Sequence, residues 1–214
     1  WSVSERKPFG EAGAPLVMFG RTCRRDDAMP RLFVAIDLPD EVAAQVERLC
    51  IGLPAIRWVE PEQFHLTVRF IGEVEAPAFY DLGEALGTVS LRPFELRLKG
   101  LGIFPPRGAP HTLWIGAEDD GGLAQLRRRV DRAADEAGIP PERRKFQPHV
   151  TLGRFRDAPP QQRLASFIAG RALFASEPFM VSGFTLYSSV LRPEGALHVP
   201  EASYDFVSGV MERA

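Results

Sequence analysis

Apolar residues run unbroken or alternate with period two in some segments of this chain, and recur every three or four positions in others. Leu32-Phe33-Val34-Ala35-Ile36 is a short apolar run that predicts a buried strand. Pro39-Asp40-Glu41 then opens a helix, with Val42, Val46 and Leu49 spaced along one face. Arg57-Trp58-Val59 reads as extended, and Phe64-His65-Leu66-Thr67-Val68-Arg69-Phe70 as a strand ended by Gly72. A helix is expected over 79–89, and Pro93-Phe94-Glu95-Leu96-Arg97-Leu98 alternates as a further strand.

The second half replays this order. Leu113-Trp114-Ile115-Gly116-Ala117 predicts a strand, and a helix follows over 121–137 with Leu123, Leu126 and Val130 on its apolar side. Gly138-Ile139-Pro140-Pro141 breaks it, and Pro148-His149-Val150-Thr151-Leu152-Gly153-Arg154-Phe155 is the next strand. A helix near 161–168 and a strand from Pro178-Phe179-Met180-Val181 through Phe184-Thr185-Leu186-Tyr187 complete the copy. His149 lies 84 positions after His65, Pro178 lies 85 after Pro93, and Leu113 lies 81 after Leu32. Offsets this constant imply an internal repeat of two α+β lobes related by a pseudo-twofold axis. Beyond the second copy, 185–190 and 197–206 flank turn residues and predict a hairpin.

The two most similar segments each carry His, an apolar residue, Thr and another apolar residue. Side chains alternate across a strand, so His65 and Thr67 share one face, as do His149 and Thr151, while Leu66, Val68, Val150 and Leu152 point into a core. Two such faces on one groove would bring together two acid/base groups and two neutral hydrogen-bond donors. Arg69, four after His65, falls on the same face by simple alternation. Arg154, five after His149, falls on the opposite one unless Gly153 permits a bulge that swings it round.

Composition narrows the field. At 214 residues, with 45% hydrophobic and 25% charged residues, the chain can bury a large core. Its net charge of −2 provides no global attraction for nucleic acid, so any such contact must be local. Cys23 and Cys50 make neither a disulfide framework nor a metal cluster and fit a reducing, cytoplasmic setting. No apolar run reaches the roughly 18 residues of a membrane helix. Residues 1–28 lack periodicity and precede Met29-Pro30-Arg31, so they are expected to be a flexible or artefactual extension to a single domain over 29–214.

Other residues rank lower. His111 and His198 lack a Thr two positions on and read as ordinary strand-edge histidines. Phe104, Trp114 and Tyr187 sit in apolar runs that favour core packing over base stacking. Arg127-Arg128-Arg129 and Arg132, balanced by Asp131, Asp135 and Glu136, read as a solvated helix face. Arg143-Arg144-Lys145 either steers phosphate groups of a ligand or is a solvated loop.

The stretches His-Leu-Thr-Val-Arg-Phe-Ile-Gly-Glu (65–73) and His-Val-Thr-Leu-Gly-Arg (149–154), with the Leu-Tyr-Ser-Ser…Gly-Ala ending (186–196), resemble the 2H phosphoesterase superfamily. Within it, the RNA 2′,3′-cyclic phosphodiesterases, also called 2′-5′ RNA ligases, are the nearest match. The resemblance implies a bilobal α+β fold with antiparallel sheets flanking a central cleft. It also implies hydrolysis of RNA 2′,3′-cyclic phosphate ends to 2′-phosphates, with weak ATP-independent 2′-5′ joining as a side reaction. His65 would be the proton donor and His149 the acceptor, with Thr67, Thr151 and Arg154 binding the phosphate. No metal or cofactor is called for, and a monomer acting on RNA ends, away from membranes, is expected. Another 2H activity on 2′-5′ oligonucleotides or cyclic nucleotides, or a non-catalytic RNA-binding role, are the alternatives.

Overall fold

A computed structural model describes residues 17–18, 31–192 and 195–206. Within them lie ten strands: β1 (Val17–Met18), β2 (Arg31–Asp37), β3 (Ile56–Trp58), β4 (His65–Glu73), β5 (Phe94–Phe104), β6 (Thr112–Asp119), β7 (His149–Phe155), β8 (Phe179–Val181), β9 (Gly183–Arg192) and β10 (Gly195–Asp205). Four α-helices accompany them: α1 (Asp40–Glu47), α2 (Ala76–Gly87), α3 (Gly122–Glu136) and α4 (Gln161–Ala169). The anticipated 1–28 extension lies outside the described residues except for Val17–Met18, which pair with Ser203 and Ala202 of β10.

The strands pair antiparallel in the order β1-β10-β9-β2-β4-β7-β6-β5-β8, with β3 added beside β7. The two lobes therefore share one continuous sheet, joined at the centre where Leu66 of β4 meets Val150 of β7. The pseudo-twofold axis passes through this pair. Around it the halves exchange strands: β5, from the first copy, pairs with β6 of the second, and β9, from the second, pairs with β2 of the first. The register also corrects one offset. Val34 lies opposite Arg69, and Leu113 opposite Gly153, so β2 and β6 correspond at 79 positions, not 81.

Local chemistry explains the helices. Asp40 and Glu41 occupy the first turn of α1, where carboxylates favour the positive end of the helix dipole, and Val42, Ala43 and Val46 are buried. Asp119 caps α3 by accepting from the backbone N–H of Gly121 and Leu123 at 3.0 and 2.6 Å. Leu123, Leu126, Val130, Ala133 and Ala134 bury its apolar face. These helices pack on the side of the sheet lined by Leu66, Val68, Val150 and Leu152, all fully buried. The opposite face is left for His65 and His149. No helix among the described residues is long and apolar enough to cross a membrane.

Candidate active site

His65 and Thr67 are half-buried on the face opposite the core, as are His149 and Thr151. With Leu66 opposite Val150, the antiparallel register sets His65 across from Thr151 and Thr67 across from His149. The two histidines are thus diagonal neighbours on one face, their backbones about 7–8 Å apart in a regular sheet.

The rings are held identically. His65 Nδ1–H donates to the Gln63 carbonyl at 2.8 Å, and His149 Nδ1–H donates to the Gln147 carbonyl at 2.7 Å. Each bond fixes the tautomer and leaves Nε2 for the cleft. Burial pulls both imidazoles below the ordinary value of 6.5, against the opposing pull of these carbonyls. The Arg154 cation lowers both further, and His149 lowers His65.

Both histidine strands carry the same irregularity. Ala35 faces Thr67 but Val34 faces Arg69, so Val68 is an extra residue in β4. Trp114 faces Thr151 but Leu113 faces Gly153, so Leu152 is its counterpart in β7. A bulge of this kind flips every later side chain to the other face. Arg154 therefore stands exposed on the histidine face, as the Gly153 bulge would require. Arg69 is turned the other way, contrary to simple alternation. It is 1% exposed on the core side, where it donates to Asp131 Oδ1 at 2.8 Å and to the Pro140 carbonyl at 2.9 Å. Phe70, the pseudo-twofold counterpart of Arg154, takes the cleft-side position and is 51% exposed.

The arginine run on α3 is likewise not a uniform solvated face. Arg127 turns inward, donating to the bulge carbonyl of Val68 at 2.7 Å and to Asp131 Oδ2 at 2.8 Å. It satisfies the acceptor that the bulge removes from the ladder. Arg128, Arg129 and Arg132 line a cavity with Thr88 and Ser90 near the end of α2, on the core side of the sheet.

Aromatic rings wall the site. Phe33, Tyr187 and His198 stand 5.1, 6.3 and 4.9 Å from His65 by ring centroid, while Phe104 and Trp114 stand 4.9 and 5.9 Å from His149. Phe104, Trp114 and Tyr187 are thus walls of the cleft rather than core residues. His198 is not an ordinary edge histidine. Burial, His65 and Arg154 lower it to about 4, so it is neutral near pH 7. Its Nδ1 and the Trp114 Nε1–H are buried with no hydrogen-bond partner among the described residues. Orphan polar atoms of this kind are unusual in a native interior. Nothing in the sequence around His198 signals this role, because only the pairing of β10 with β9 brings it in. Tyr187 donates to Asp37 at 2.6 Å, and burial together with that carboxylate raises its phenol, which stays protonated. His111 is exposed.

Gly153 is required where it stands. A Cβ there would lie 2.8 Å from the Ile56 side chain and 2.9 Å from the Arg57 carbonyl, so β3 would have to move. Gly153→Ala is expected to cost roughly 1–3 kcal/mol as an overpacking defect. It should also raise KM by displacing Arg154. A melting temperature and KM both equal to the parent's would contradict this account of the bulge.

Among the described residues no three His, Cys, Asp or Glu side chains are placed to hold a metal ion. The site instead offers two Nε2 atoms, two hydroxyls and a guanidinium around one gap, suited to proton transfer at a bound phosphate.

Comparison with known proteins agrees with this geometry. The 2′-5′ RNA ligase superfamily profile matches residues 31–191. A Thermus thermophilus protein named RNA 2′,3′-cyclic phosphodiesterase is 38% identical over 179 residues, covering 78% of this chain and 86% of its own length. An Archaeoglobus fulgidus protein of the same name is 32% identical over 174 residues, covering 78% and 96%. The crystal structure of E. coli LigT with 3′-AMP superposes with a TM-score of 0.66 at 28% identity, over 83% of this chain and 98% of that one. With the paired His-x-Thr strands seated in a 2H phosphoesterase fold, the chain belongs to the 2′-5′ RNA ligase superfamily.

Proposed function

We propose that this protein hydrolyses RNA ends bearing a 2′,3′-cyclic phosphate to 2′-phosphomonoesters. The supporting observation is the matched pair of Nδ1 anchors at Gln63 and Gln147, which leaves two Nε2 atoms for one cleft. A water oxygen attacks phosphorus as His149 Nε2 takes its proton. The P–O3′ bond breaks as His65 Nε2–H protonates the departing O3′, leaving the phosphate on O2′. Each such proton transfer contributes on the order of 10²- to 10⁴-fold. The Thr67 and Thr151 hydroxyls and Arg154 donate to the non-bridging oxygens as charge redistributes. The family relationship supports the direction of transfer, because the histidine chemistry alone is symmetric. A 5′-hydroxyl in place of water yields weak 2′-5′ joining.

The geometry also orients the substrate. Arg154 marks one end of the cleft, and the Phe33–Phe70 pair, 6.3 Å apart by centroid, marks the other. The phosphate faces the cation, while the ribose and base face the exposed Phe70 ring, on which a base can stack. The test is incubation of a short RNA with a 2′,3′-cyclic end in the presence of a chelator, with separation of the phosphate isomers. A 2′-phosphate product is expected. An unchanged RNA or a 3′-phosphate product would overturn the reading.

A further inference from the structure

Arg154 has a neighbour that the mechanism does not use. β3 pairs with β7 so that Arg57 lies directly opposite Arg154. Directly opposed residues of an antiparallel pair share a face, with Cβ atoms about 4.5–5.5 Å apart. The flanking residues of β3 confirm the direction, since the Trp58 ring lies 6.3 Å by centroid, tilted, from Phe167, a buried residue of α4 on the core side. Arg57 therefore points with Arg154 toward the histidine face, and both are exposed. Like charges placed opposite one another destabilise a sheet. Among the described residues neither guanidinium has a carboxylate partner. The pair is also confined to one end of the pseudo-twofold. At the related end, Phe70 takes the place of Arg154, and its backbone N–H donates to Glu142 at 3.3 Å.

We propose that Arg57 binds the next phosphodiester of the RNA chain, on the 5′ side of the terminal nucleotide, while Arg154 holds the terminal phosphate. This rests on the proposed function for the identity of the terminal group. Two adjacent cations on one face match two adjacent phosphates, and closing them onto RNA relieves their mutual repulsion. The protein then favours the end of an RNA strand over an isolated nucleoside cyclic phosphate.

The experiment measures binding of unreactive ligands, so it does not depend on hydrolysis. Adenosine 2′-monophosphate and adenosine 2′,5′-bisphosphate differ only in a phosphate where the RNA chain would continue. Calorimetry should show the parent binding the bisphosphate about 10-fold more tightly, the range for a charge-assisted hydrogen bond. Arg57→Gln should erase that preference while leaving the affinity for adenosine 2′-monophosphate unchanged and the melting temperature no lower than the parent's, because it removes one of two opposed like charges. With a dinucleotide ending in 2′-phosphate, its slope of log affinity against log salt should fall by about 0.7, the value for one single-strand phosphate contact. An equal loss for both ligands would place Arg57 at the terminal phosphate, and no loss for either would remove it from the site; both results overturn the proposal. Failure of the parent to hydrolyse cyclic ends, measured separately, bears on the proposed function instead.

Discussion

His149→Ala and His65→Ala are each expected to lower kcat for a 2′,3′-cyclic RNA end by about 10²- to 10⁴-fold, and to change the pH profile in opposite ways. Both imidazoles lie below 6.5 in the free protein, chiefly through burial. In the proposed mechanism the reactive form has His149 neutral and His65 protonated. It is therefore most populated on the acid side of 6.5, and kcat/KM should follow a bell whose optimum lies there. A bound anionic phosphate favours the His65 imidazolium, so the alkaline limb of kcat should lie at higher pH than that of kcat/KM. The acid limb reports protonation of the base and the alkaline limb deprotonation of the acid. His149→Ala should lose the acid limb and His65→Ala the alkaline limb. The reverse pattern would interchange the roles. Full hydrolysis by either variant would end the two-histidine mechanism. Because the pair acts as a unit, the double variant should be hardly slower than either single one.

The His-x-Thr faces could be read from the sequence because strand alternation is a local rule and needs no partner. Arg69 shows where that rule stops. One extra residue at Val68 reverses the side chains that follow it up to the next shift at Ile71, and an apolar valine in an apolar strand gives no sign of being extra. At the matching place in β7, Gly153 did give a sign, and Arg154 emerged on the face that the glycine allowed. His198 and Arg57 reach the site through pairings between distant segments, β10 with β9 and β3 with β7, which no periodicity within their own strands encodes. The exchange of β5 and β9 between halves is hidden for a related reason. A constant offset identifies equivalent strands and is silent about which neighbour each one chooses.

Asp131→Ala is expected to cost about 3 kcal/mol of stability, the largest effect predicted for a residue outside the cleft. Asp131 bridges Arg69 and Arg127, at 2.8 Å to each. Removing one partner of a buried ion pair leaves an uncompensated charge, which typically costs about 3–5 kcal/mol. The side chain of Asp131 is 39% exposed, so the lower end applies. For a chain of this size, about 3 kcal/mol lowers the melting temperature by roughly 6–12 °C. Arg69→Met makes the contrasting case, because it removes the buried charge itself and keeps much of the volume. Asp131 then still accepts from Arg127, and the loss should be about 1 kcal/mol. Once Arg69 is gone, adding Asp131→Ala should cost far less than it does alone, a non-additivity that marks a direct pair. Because Arg127 also holds the Val68 carbonyl, the network fixes the bulge that separates Arg69 from Phe70. Melting curves of the two single variants and the double variant test this account. Additive losses, or a single Asp131→Ala variant as stable as the parent, would show that the bulge is held by the sheet alone.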